Sequence, residues 1–130
     1  MSGLRIGFLV ICGLLLASAG SAQKSEPSKK APSPEDAPKA GWISDEACGA
    51  DHTKPGRADC VEKCWRGGAA VGHPEWKPQR AVFVSEDGRT MWIIENPETV
   101  KNFPAAHVLV TGKFDSEKKM LHVEKIALVQ

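Results

Sequence analysis

The chain reads as mainly β with two short helices: an OB-like, five-stranded Greek-key barrel preceded by a leader and a spacer. Three observations predict this. Short runs of alternating apolar and polar residues are separated by turn residues, the mark of half-buried strands. Their order is strand, helix-bearing insertion, strand, strand, short helix, strand, strand, and five strands with a helix between the third and fourth is the OB order. The last strand also slips phase once, as the closure of a small barrel requires.

The 130-residue chain opens with a single basic residue, Arg5, then the apolar run GFLVICGLLLA and the small residues SAGSA. This is the pattern of a secretory leader over residues 1–22, with cleavage after Ala22 or, alternatively, Ala19. The apolar run is shorter than the ~20 residues needed to span a bilayer, so no stable membrane span is expected after processing. Cys12 lies within this run. Residues 23–40, QKSEPSKKAPSPEDAPKA, carry four prolines and four lysines and no large apolar side chain. Nothing there offsets the entropy of ordering a backbone, so the segment is expected to be a disordered linker. Residues 41–130 are left for one domain, in a periplasmic or secreted setting.

The first strand is Gly41 to Ser44, ending at Asp45. A polar loop with Gly49, Pro55 and Gly56 leads to a helix, for which Asp59 and Glu62 form a capping box and Gly67 and Gly68 the stop. Two turns of helix do not persist alone, so this one must be pinned to the barrel. Val61 and Trp65 are one pair four residues apart on it, Cys60 and Cys64 another. AAVGHPEWKPQ reads as a loop insertion. AVFVS and TMWIIE form a hairpin about Glu86-Asp87-Gly88. Asn96 caps a short helix with Pro97 in its first turn and Val100 and Phe103 facing the core, and Pro104 stops it. The last hairpin turns at Asp115-Ser116-Glu117. Val108, Val110, Gly112 and Phe114 share one face of its first strand. Leu121 and Val123 share a face of the second, and a bulge near Glu124-Lys125 brings Ile126 back into phase.

Removing Arg5 leaves 17 − 1 = 16 basic side chains against 16 acidic ones. A neutral chain lacks the clustered basic face that nucleic acid demands. Nor is there a glycine-rich phosphate loop, nucleophile elbow, HExxH helix or calcium loop, and a non-enzymatic module with an envelope or small-molecule partner is expected.

The chemistry gathers at Cys48-x3-His52-x7-Cys60-x3-Cys64. The mature chain holds three cysteines, an odd number, so one thiol is left over unless a metal takes all of them. Cys60 and Cys64 lie on one helical face with Cβ atoms ~5–6 Å apart, too far for an unstrained bridge. A structural disulfide from Cys48 to one of them is easier and is the reading the residues favour. The second reading uses Cys48, His52, Cys60 and Cys64 as ligands of zinc or monovalent copper. A third is thiol-redox chemistry at Cys60 or Cys64, which Asp59 and Glu62 oppose by disfavouring a thiolate. His73 is expected in solvent, and His107 and His122 are expected to point outward from barrel strands. Trp42, Trp65, Trp76 and Trp92 read as core or rim packing.

GWISDEACGADH, then ADCVEKC, and finally HVLVTGKF and HVEKIALV resemble a family of small exported bacterial OB-like domains of unknown function. The resemblance covers residues 41–130. It implies that Asp45, Cys48, Gly49, His52, Cys60 and Cys64 form one unit. The segment GHPEWKPQ is longer here than such domains need.

Overall fold

Alternating strands of this kind must bury one face, and here they do so by closing on themselves. The computed structural model describes residues 35–130; the expected leader, Cys12 and most of the linker lie outside the described residues. Five strands, β1 (Lys39–Asp45), β2 (Ala81–Ser85), β3 (Met91–Ile94), β4 (His107–Asp115) and β5 (Met120–Leu128), form a closed barrel in the order β1-β2-β3-β5-β4. β4 returns to β1, and only the β3–β5 contact is parallel. The architecture is mainly β and consistent with an OB-like barrel. β1 starts at Lys39, two residues before the boundary expected from sequence.

The barrel interior is filled by Ile43, Phe83, Trp92, Ile94, Val108, Val110, Phe114, Leu121 and Val123 among others. Phe83, Trp92 and Phe114 meet pairwise with centroids 5.2 to 5.9 Å apart. β4 alternates as expected, with Val108, Val110, Gly112 and Phe114 all buried. The expected bulge is present: Thr111 pairs with Lys125 and Gly112 with Val123, which leaves Glu124 as the extra residue of β5. At Gly112 a Cβ would lie 2.1 Å from the His122 carbonyl oxygen, so only glycine permits the strands to approach at the bend.

The helices depart from expectation in two places. α1 (Ala58–Arg66) begins two residues early, with Arg57 rather than Asp59 as its cap and no side-chain cap bond. Asp59 falls inside the first turn, where its charge favours the positive helix end without closing a capping box. The expected stop is found at Gly67, with φ of 84° and its N–H donating to the Lys63 carbonyl at 3.0 Å. The second helix reduces to a single 3-10 turn, Pro97–Thr99, and Asn96 gives it no side-chain cap. The Asn96 carboxamide is engaged elsewhere. Its Nδ2 donates to the Val123 carbonyl at 2.8 Å and its Oδ1 accepts from the Val123 N–H at 2.9 Å. The side chain thereby prolongs the short parallel β3–β5 ladder, which otherwise pairs Ile93 with Met120 and Ile94 with Leu121.

β2 is buried along both faces. Ala81 and Phe83 face the interior, yet Val82 and Val84, of opposite parity, are 0% and 1% exposed. Residues 46–80, the insertion between β1 and β2, cover this outer wall. A Cβ on Gly49 would meet Met91 Sδ at 3.3 Å, and one on Gly88 would meet Ala50 Cβ at 3.7 Å, so the start of the insertion lies against the β2–β3 hairpin. Trp65 Nε1 donates to the Ser44 carbonyl at 3.1 Å and pins α1 to β1.

Candidate metal centre

The insertion leaves and rejoins the barrel at one place. The Glu46 N–H donates to the Arg80 carbonyl at 3.0 Å, and the Arg80 guanidinium grips the Glu46 carboxylate with bonds of 2.5 and 2.8 Å. This ion pair holds the Glu46 carboxyl below its usual range. Just inside this neck sits Asp45, the last residue of β1 and fully buried.

Asp45 organises the start of the insertion. Its Oδ1 accepts the Cys48 N–H at 3.0 Å, an aspartate-nucleated turn that reverses the chain. The Ser44 hydroxyl donates to the Gly49 carbonyl at 2.7 Å, and Gly49 takes φ of +47°, which allows the short 3-10 turn Gly49–His52 to form. That turn brings His52 back, so that its Nδ1 is hydrogen-bonded to Asp45 Oδ2. α1, docked by Val61 and Trp65, delivers Cys64, whose Sγ lies within 4.8 Å of an Asp45 carboxylate oxygen and of the Cys48 Sγ.

One potential ligand atom from each of Asp45, Cys48, His52 and Cys64 lies within 4.8 Å of all the others. Three of these were expected from spacing. Asp45 was implied by the family resemblance and not by spacing, because a carboxylate in a strand gives no metal signal of its own. Cys60 lies outside this group, although it lines the same cavity.

Cys48, Cys60 and Cys64 are all free thiols, so the expected structural disulfide from Cys48 to a helix cysteine is not present. The buried Asp45 carboxylate engages the Cys48 N–H and the His52 imidazole, and the Cys48 and Cys64 sulfurs lie beside it without bonding to one another. Burial pushes the Cys64 thiol up to about 11, and the Asp45 charge and the Cys48 sulfur add to the effect. Burial also raises the Cys48 thiol, with Asp45 and Asp51 contributing. These two thiols therefore stay protonated at neutral pH, the opposite of what a nucleophilic cysteine needs. No lysine or arginine belongs to the group, although Lys63 and Lys77 line the cavity beside it.

A cavity of about 600 Å³ opens over the cluster, lined by Cys48, His52, Cys60 and Cys64 on one side and by Trp76 and Lys77 on another. Its far wall is ordered: His73 stacks on Trp76 at 4.1 Å, the Gln79 N–H donates to the Cys64 carbonyl at 2.8 Å, and the Gly68 N–H donates to the Trp76 carbonyl at 3.0 Å. The segment read from sequence as a loop insertion is thus folded back as the wall of a cavity. The His73 side chain is half-exposed, paired with Glu75 at 3.1 Å. His107 and His122 do face outward. His107 stacks on Trp42 at 4.7 Å and meets Glu86, and His122 lies 3.7 Å from Glu95. Comparison with protein-family models, curated proteins and solved structures finds no match to this chain.

Proposed function

We propose that this protein binds a metal ion through Asp45, Cys48, His52 and Cys64, with zinc as the ion and monovalent copper as its competitor. The observation that carries the reading is the mutual approach of four chemically suitable donors within 4.8 Å around a fully buried carboxylate. A tetrahedral zinc with bonds of ~2.0–2.3 Å places its ligand atoms roughly 3.3–3.8 Å apart, so donors near the 4.8 Å limit draw in by about 1 Å while the Asp45–His52 hydrogen bond gives way to the ion. Two thiolates, an imidazole and a carboxylate suit a borderline-soft divalent cation, whereas thiolates alone would favour copper. The shape of the site supports a binding protein. Structural zinc sites are closed, but here three of the four donors are only half-buried and open to a cavity.

We place this activity outside the cytoplasm, in a non-enzymatic periplasmic or secreted protein, on the strength of the leader-like N-terminus. In an oxidising compartment a bound metal keeps neighbouring thiols from being lost to oxidation.

The test is metal analysis with native mass spectrometry on reduced protein, followed by cobalt substitution, which reports thiolate ligation through its visible charge-transfer bands. One ion per chain is expected, with binding weakened ~10–100-fold or more by His52→Ala or Cys64→Ala. Zinc binding no stronger than in a variant lacking all three cysteines would refute the reading.

A further inference from the structure

Cys60 is a third thiol in the cavity that the four-donor group leaves out. It stands one helical turn before Cys64, on the same face of α1, half-buried and on the cavity wall. It is close enough to disfavour ionisation of both Cys48 and Cys64. Asp45 is placed oppositely: it belongs to the group, is fully buried, and does not line the cavity. Cys48, His52, Cys60 and Cys64 thus all face the cavity, and Asp45 lies behind them.

Resting on the metal reading above, we infer that Cys60 is an exchange ligand: it takes the ion from a thiol or chelating donor entering the cavity and is replaced by Asp45 once the ion is seated. The steps are ligand substitutions without redox change. Cys60 Sγ gives a lone pair to the ion as the donor's ligand leaves with its own pair, and the Cys60 proton passes to that ligand or to water. Coordination by Asp45 then breaks the Cys60–metal bond, and Cys60 takes a proton back from solvent. Release runs the same steps in reverse. The cavity gives an incoming donor room to reach the ion before its departing ligands have let go.

The test uses the reduced full chain and Zn²⁺. Transfer to and from the chromophoric chelator 4-(2-pyridylazo)resorcinol is followed by stopped flow, and equilibrium affinity is measured by competition. For Cys60→Ser we expect affinity within about 3-fold of the parent and transfer slowed ~10-fold or more, the reverse of the 10–100-fold affinity losses typical of a disturbed metal shell. In a second measurement iodoacetamide treats the zinc-loaded parent, and peptide mapping is expected to find Cys60 alkylated with Cys48 and Cys64 protected. An unchanged transfer rate in Cys60→Ser overturns the proposal. So does protection of Cys60 together with loss of stoichiometric binding in the variant, which makes it a resident ligand. If the parent itself takes up no zinc, the metal reading fails as well, and that result is distinguishable because it appears before any substitution is made.

Discussion

Lowering the pH from 8 to 6 is expected to weaken zinc binding by about 10⁴-fold, because seating the ion displaces two protons and each costs a factor of ten per pH unit. The sign comes from the site. The Cys64 thiol is pushed up to about 11 and the Cys48 thiol is raised as well, so in the ion-free protein both carry protons throughout this interval. Both are thiolates once bound. Acid returns the protons and opposes binding; alkali removes them and favours it, with no plateau until the thiol range is reached. Two protons over two pH units amount to about 5.4 kcal/mol, at 1.36 kcal/mol per unit for each proton. The assay is competition against a chelator of known proton affinity at several pH values, with proton release into weak buffer as an independent count. A slope of one log unit or less per pH unit would refute the two-thiolate site, whatever the affinity.

Other substitutions probe the site's electrostatics and the barrel's supports. Asp45→Asn removes a charge that opposes Cys64 ionisation, so Cys64 should alkylate faster at pH 8 in ion-free protein while zinc affinity falls ~10–100-fold; an unchanged alkylation rate contradicts the electrostatic account. Asn96→Ala strips both bonds from the Val123 backbone and should cost ~1–3 kcal/mol in urea unfolding, and a loss under 0.5 kcal/mol, within the roughly neutral range for surface changes, would show that the carboxamide does not bridge β3 and β5. Gly41→Ala would set a Cβ 2.3 Å from the Val84 carbonyl oxygen and 2.5 Å from the Phe83 ring, and should cost ~1–3 kcal/mol or more through overpacking. Trp65→Phe deletes the bond to the Ser44 carbonyl, worth ~0.5–1.5 kcal/mol; amide exchange should quicken in α1 before it does in β4 and β5.

The barrel was legible because its strands obey local rules. The phase slip before Ile126 forecast the bulge at Glu124, and Asp87-Gly88 forecast a hairpin in which Gly88 takes φ of +70°. What failed was the assignment of side-chain partners. Asn96 looked like a cap because Pro97 comes next, but its partner, Val123, is 27 residues away, a distance no local pattern encodes. Asp59 and Glu62 have capping-box spacing, yet the helix starts before them. In the site, spacing brought out Cys48, His52 and Cys64 and ranked Cys60 beside them. It could not rank Asp45, whose value comes from being fully buried where β1 gives way to the insertion. The preference for a disulfide came from counting thiols in an oxidising setting. That the thiols stay unpaired beside a buried carboxylate is visible only in three dimensions.

Residues 46–80 form a cassette. The chain departs at Glu46 and comes home at Arg80 through one backbone hydrogen bond, so in geometric terms a short turn could close the gap with the barrel register intact. The obstacle is chemical. Val82 and Val84, sheltered today, would become a β-branched stripe facing water, an adhesive surface inviting self-association. A minimal barrel cut from this protein would therefore need polar residues at those two positions to remain dispersed. Moving the cassette onto another barrel would, conversely, require a host strand that is apolar on its outer side.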